Sequence, residues 1–83
     1  MSILNEVVEM IKNFLAGNYG PLAFSYDLPE VLIKNYDEMN NENEEITKIL
    51  NEELPDICAE YEDGMDIQEF QTKVKKEYEK AFA

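Results

Sequence analysis

Apolar residues recur at steps of three and four through the second half of the chain, and this spacing restricts the possible folds more than any other feature. The set comprises Ile46, Ile49, Leu50, Leu54, Ile57, Cys58 and Tyr61. The repeat matches one face of an α-helix, and no segment of the sequence shows the strict alternation of a half-buried strand. The spacing therefore predicts one long helix within residues 42–63, with a face that must pack against a core.

Pro55 lies inside this helical pattern. Proline has no backbone N–H, so the carbonyl of Asn51 loses its usual helical donor, and the ring favours a bend. We therefore expect this helix, the third in the chain, to be kinked at Pro55. Two shorter helices are the alternative.

Local start and stop signals predict a first helix over residues 3–16. Ser2 is suited to cap its N-terminus, and Gly17 can end it in a left-handed conformation. Pro21 is suited to the first position of a short helical turn that reaches Phe24. We expect Phe24 to enter the core.

Asp27 and Glu30 have the spacing of a capping box, which predicts a second helix over residues 28–40. Pro29 then falls in the first turn, where a missing N–H has little effect. The residues expected on the inward face of this helix are Leu28, Leu32, Tyr36 and Met39.

Asp66 and Glu69 repeat the capping-box spacing and predict a fourth helix that begins at Ile67. The residues expected on its inward face are Ile67, Phe70, Val74, Tyr78 and Ala81. At 83 residues the chain has room for a single domain, residues 1–83. The sequence thus predicts an all-α fold, a small four-helix bundle with a kinked third helix.

Charge is distributed unevenly along the chain. The net charge is −12, from 19 acidic residues and 7 lysines, and residues 27–66 contain 14 of the acids but 2 of the lysines. The electric field of this negative charge repels nucleic acid and anionic membranes and attracts a basic partner. Solubility alone is the other interpretation.

The residues predicted to bind a partner lie along the third helix and just after it: Glu45, Glu52, Asp56, Glu60 and Asp63. Glu52, Asp56 and Glu60 are spaced four apart, so they stack on one side of a helix. Their repulsion costs about 0.2 to 0.5 kcal/mol per pair. An arrangement that does not help folding favours a role in binding.

The residue types present argue against an enzyme. Histidine and arginine are absent, and the serines are Ser2 and Ser25. The commonest general base, the usual catalytic triads and most transition-metal sites are therefore excluded. We expect no catalytic residues, no cofactor and no metal. Cys58 is interpreted as a buried thiol in a reducing compartment.

The first 17 residues are partly apolar but carry Glu6, Glu9 and Lys12. This pattern fits neither a signal peptide nor a membrane span. We therefore expect a cytoplasmic protein, a monomer or weak dimer, that binds neither nucleic acid nor membranes.

Several landmarks follow one another in a distinctive order: Phe14 and Leu15 at the end of the first helix, then a short turn, then Phe24 and a capped helix, and later Ile-Leu-Asn at 49–51. This order resembles the colicin D immunity protein family over about residues 8–62. Members of that family are small helical bacterial proteins that neutralise a tRNA-cutting toxin in colicin and contact-dependent inhibition systems. The resemblance implies an acidic surface placed over a basic active site, and it assigns no inhibitory residue.

The functional prediction is therefore an acidic immunity protein that binds a basic nuclease toxin and covers its active site. One alternative is a small acidic adaptor or regulatory protein whose apolar groove takes a partner helix. Another is a nucleic-acid-mimic phage protein, which would share the same electrostatics.

Overall fold

Helices account for most of the part of the chain that the structure, a computed structural model, describes: residues 2–62 and 64–82. The helices are α1 (Ile3–Leu15), α2 (Pro21–Lys34), α3 (Tyr36–Glu42), α4 (Glu44–Glu60) and α5 (Ile67–Phe82). The all-α class is confirmed. These ranges contain five helices rather than the four predicted, because the segment expected to hold the second helix divides into two.

Helix ends with a strong local signal lie where the sequence predicts them. The Ser2 side chain caps α1 by accepting a hydrogen bond from the Asn5 N–H at 3.3 Å. Gly17 has φ = 84°, the left-handed conformation that follows many helices. The Asp66 carboxylate accepts a hydrogen bond from the Gln68 N–H at 3.0 Å, one residue before α5 begins.

The predicted start of the second helix is wrong. The helix begins at Pro21, seven residues before the expected position, and Pro29 lies in its interior. Asp27 is not an N-cap, and its carboxylate instead accepts a hydrogen bond from the Tyr19 hydroxyl. This hydrogen bond raises the pKa of Tyr19 to about 12. Pro29 leaves only the Ser25 carbonyl without its usual donor, so the helix can continue through it.

Asn35 separates α2 from α3. Its N–H and its side-chain amide both donate to the Val31 carbonyl, at 3.1 and 3.0 Å, and its backbone leaves the helical conformation at φ = −112° and ψ = 17°. The break alters the register that periodicity predicts. Met39 is fully buried as expected, but Tyr36 is 43% exposed, so its predicted inward position is wrong.

α4 runs from Glu44 to Glu60 as one helix with Pro55 inside it, which excludes the alternative of two shorter helices. A kink at Pro55 stays a prediction. Asn43 caps the helix by accepting a hydrogen bond from the Ile46 N–H at 3.0 Å. The buried residues of α4 are Thr47, Leu50, Leu54 and Cys58.

The core lies between four helices in the cyclic order α1, α2, α4 and α5, each packed against the next, and α3 packs against α4 and α1. Phe14 and Phe24 stack with ring centroids 4.1 Å apart, and Phe70 packs against both. Aromatic contacts of this kind add to the free energy gained from burying apolar surface. α1, α2 and α5 therefore meet at one aromatic cluster.

Cys58 is 2% exposed, which confirms the prediction of a buried thiol. Burial raises the pKa of Cys58 to about 12, so the thiol is protonated at neutral pH. The predicted inward position of Ile67 is wrong, since this first residue of α5 is 45% exposed.

Candidate acidic interface

α4 presents a strongly acidic outer surface. Its buried residues fix one face against the core, so the charged residues must point the other way. The helix carries one lysine, Lys48. Its acidic residues are all exposed: Glu44, Glu45, Glu52, Glu53, Asp56 and Glu60.

Four of the five predicted partner-binding residues lie on this surface. At 3.6 residues per turn, Glu45, Glu52 and Asp56 lie within about 40° of one another around the helix axis, and Glu60 lies about 40° further round. We call these four residues the acidic row. Asp63, the fifth predicted residue, lies outside the described residues.

The end of the acidic row that contains Glu60 faces cations of α5. Lys73 Nζ lies 3.7 Å from a carboxylate oxygen of Glu60 and 3.7 Å from one of Glu69. Lys76 lines the same groove as Asp56 and Glu60. The fold thus places these lysines beside the acids of α4. Repulsion within the row is therefore partly offset at this end.

Glu77 and Lys80 extend this mixed-charge groove along α5. Glu77 is 4% exposed, and its carboxylate pairs with Lys80 Nζ at 3.1 Å. The hydrogen bond to Glu77 raises the pKa of Lys80, and the charges of Glu53 and Glu52 on α4 raise it further. Sequence reasoning missed Glu77, although its position three residues after the buried Val74 is a helical signal of an inward face.

One acid of the 42–63 segment has a structural role. The Glu42 carboxylate, at the end of α3, accepts a hydrogen bond from the Ser2 hydroxyl. It also accepts bonds from the N–H groups of Ile3 at 3.0 Å and Leu4 at 3.2 Å. These N–H groups have no acceptor inside α1, and the N-terminus of a helix favours a negative charge. Glu42 therefore joins α3 to α1 rather than belonging to the acidic row.

Glu42→Gln is expected to lower the melting temperature at pH 7 by a few degrees, because an amide is a weaker acceptor and carries no charge. Hydrogen bonds from Ser2, Ile3 and Leu4 lower the pKa of Glu42. A lowered folded-state pKa stabilises the fold above the unfolded pKa, near 4.3, and this contribution disappears as the pH falls through the folded value. The difference in melting temperature between the two proteins should therefore be largest near pH 7 and become smaller as the pH falls below about 4.3. An equal difference at pH 7 and pH 3 would contradict this role.

One apolar cleft of the described residues is too small for an organic ligand, and two wider grooves are open and lined mostly by charged side chains. Within residues 2–62 and 64–82, histidine, cysteine and acidic side chains form no group of three that could hold a metal ion. A cleft between the end of α4 and the start of α5, lined by Ile57, Tyr61 and Phe70, has a volume of about 20 Å³. That is room for about one water molecule, and small-molecule sites are far larger. None of the described helices is long and apolar enough to cross a membrane.

Comparisons with known proteins found no match, whether with models of protein families, with curated proteins or with solved structures. The likeness to the colicin D immunity protein family therefore stays a prediction from the residues that carry it. The function is proposed below from the charge and geometry of the chain itself.

Proposed function

We propose that this protein is an immunity-type inhibitor that binds a basic nuclease toxin and covers its active site. The observation that supports this proposal most is the exposed acidic row, held on a helix whose opposite face is fixed in the core. In this proposal the four longer helices are the rigid support, and the row stands in for the phosphates of an RNA substrate.

Electrostatics explains why such a row suits such a partner. A nuclease must present lysine and arginine to hold RNA, and these side chains form strong, charge-assisted hydrogen bonds with carboxylates. From Glu45 to Asp56 the row spans about 16 Å along the helix axis. Opposite fields also steer the two proteins together and raise the association rate.

The lysines of α5 suggest which part of the row carries the contact. Glu60 already pairs with Lys73, so a partner cation there would compete with an internal one. Glu45 lies outside the mixed-charge groove, and Asp56 is one of its lining residues. Glu52 does not line the groove, although its charge reaches Lys80. We infer that the centre of the interface is at Glu52 and Asp56.

The proposal predicts a toxin gene directly upstream of this gene, because an immunity protein is made beside its toxin, and the test uses the nuclease domain of that toxin. Purified protein is titrated into that domain while RNA cleavage and complex formation are measured. We expect inhibition at one-to-one stoichiometry and an affinity that falls steeply between about 50 and 500 mM salt, as for contacts made by exposed charges. Full cleavage in the presence of excess protein at low salt would exclude this function for the pair.

A small acidic adaptor is the second candidate, and exposed apolar side chains on α2 favour it. An adaptor whose acidic residues serve only solubility would bind its partner equally well after those residues are replaced by lysine. A nucleic-acid-mimic phage protein shares the electrostatics of an immunity protein and differs in its target. In each case we propose a cytoplasmic monomer or weak dimer.

A further inference from the structure

The outer surface of α2 carries apolar side chains that extend into solvent. Leu22 is 37% exposed, Tyr26 70% and Ile33 74%. Their spacings of four and seven place them on one face of the helix. We call these three residues the α2 stripe. Tyr36, the first residue of α3, adds a further side chain that is 43% exposed.

The α2 stripe lies about a third of a turn from the buried face, and Asp27, Glu30 and Lys34 form a polar side on the remainder of α2. The buried residues of α2 are Phe24, Ser25, Leu28 and Leu32. The exposed apolar area is on the order of 400 Å², a size at which patches on a monomer are often functional.

Two acids and one lysine of α2 lie beside the α2 stripe. Glu30 lies between Tyr26 and Ile33 on the same helix and is exposed, and α2 carries a single lysine, Lys34. α2 also packs directly against α4, which carries the acidic row on its exposed face. Packed helices have axes about 8 to 10 Å apart, which is close to the width of one further helix. The α2 stripe and the acidic row thus lie on neighbouring helices.

A second copy of this chain fits the α2 stripe poorly. Each copy carries a net charge of −12, so pairing would bring two acidic surfaces together. Two such stripes would also bury about 800 Å² in total, below the roughly 1,200 Å² of a stable specific interface. A partner with the opposite charge avoids the repulsion.

We propose that the α2 stripe binds a basic amphipathic helix of a partner protein. The apolar side of that helix packs on Tyr26 and Ile33, and its lysines or arginines reach Glu30 and the acidic row. This proposal rests on the α2 stripe and does not require the partner to be a nuclease. It adds an apolar contact to the charged contact proposed for α4.

The test uses two synthetic 18-residue peptides of leucine and lysine with identical composition. One has all its leucines on one helical face, and the other has them distributed evenly. Binding is measured by calorimetry with the wild-type protein, with Ile33→Gln and with Ile67→Gln. Ile67 is the matched control, since it is an exposed isoleucine at the start of α5, outside the stripe.

We expect the segregated peptide to bind wild type more tightly than the even one, and Ile33→Gln to raise its Kd roughly tenfold. Ile67→Gln should leave the Kd unchanged, and both variants should melt like wild type because their side chains are exposed. Equal Kd values for the two peptides, or equal effects of the two substitutions, would overturn the proposal. So would a wild-type dimer in sedimentation experiments that Ile33→Gln dissociates, because the occupant would then be a second copy.

Discussion

Reversing Glu52 and Asp56 to lysine together is expected to weaken binding to the cognate nuclease domain by about 3 kcal/mol, roughly a 150-fold rise in Kd. Both side chains are exposed at the centre of the acidic row. Cations of the partner that met carboxylates in the wild type would then meet ammonium groups. The measurement is a titration of each protein against the nuclease domain at two salt concentrations.

The matched control reverses two exposed acids of α1, Glu6 and Glu9, to lysine. It changes the net charge by the same amount, but α1 lies diagonally across the core from α4. Only the general attraction between oppositely charged proteins should weaken in this control, so its Kd should rise much less. If the double reversal at Glu52 and Asp56 binds as tightly as wild type, α4 is not the interface and the proposed function loses its main support.

The double reversal should leave the melting temperature close to that of wild type. Removing the repulsion between Glu52 and Asp56 is favourable by a few tenths of a kcal/mol. A cation at position 56, however, would enter the groove that Lys73, Lys76 and Lys80 line, where like charges repel. Because these two effects oppose each other, a loss of binding could not be attributed to unfolding.

Phe24→Ala is expected to destabilise the protein by about 3 to 5 kcal/mol, the usual loss for a large aromatic side chain removed from a core. Phe24 is fully buried, with its ring centroid 4.1 Å from that of Phe14 and 6.0 Å from that of Phe70. Domains of this size have a total stability of about 5 to 15 kcal/mol. Chemical denaturation followed by circular dichroism measures the change, and a substantial unfolded population at 37 °C is expected.

Tyr26→Ala is the matched control for Phe24→Ala, because it removes an aromatic ring two residues away on the same helix. Tyr26 is 70% exposed, and substitutions at such positions usually change stability by less than about 0.5 kcal/mol. If Tyr26→Ala and Phe24→Ala lowered the free energy of unfolding by equal amounts, Tyr26 would also face the core, and the orientation of α2 described above would be wrong. A small loss for Tyr26→Ala would also show that the α2 stripe is not needed for folding.

The sequence predicts the features that depend on neighbours within about four residues. The period of the apolar residues identified α4 and its buried Leu50, Leu54 and Cys58, as well as the all-α class. Capping residues located the starts of α1 and α5, since Ser2 and Asp66 bond to N–H groups two or three residues away. The exposure of the acidic row follows from the same period, because residues opposite a buried face must meet solvent.

Competing local signals led to the errors in α2 and α3. The capping-box spacing at Asp27 matched a helix start, but the helix begins at Pro21 and continues through Asp27, since a helix adds residues more easily than it begins. α2 then ends at Asn35, whose backbone leaves the helical conformation at a position that the sequence pattern does not mark. The start of α2 and the break before α3 depend on how Phe24 and Met39 both pack into the core.

Only the tertiary structure decided which charges lie together. Glu42 and Ser2 are 40 residues apart in sequence, yet the Glu42 carboxylate caps α1, which begins immediately after Ser2. The lysines of α5 lie beside Asp56 and Glu60 because α4 and α5 pack against each other. The spacing of apolar residues in the sequence determines the face of a helix on which a side chain lies. The residues of another helix that it contacts depend on how distant segments pack together.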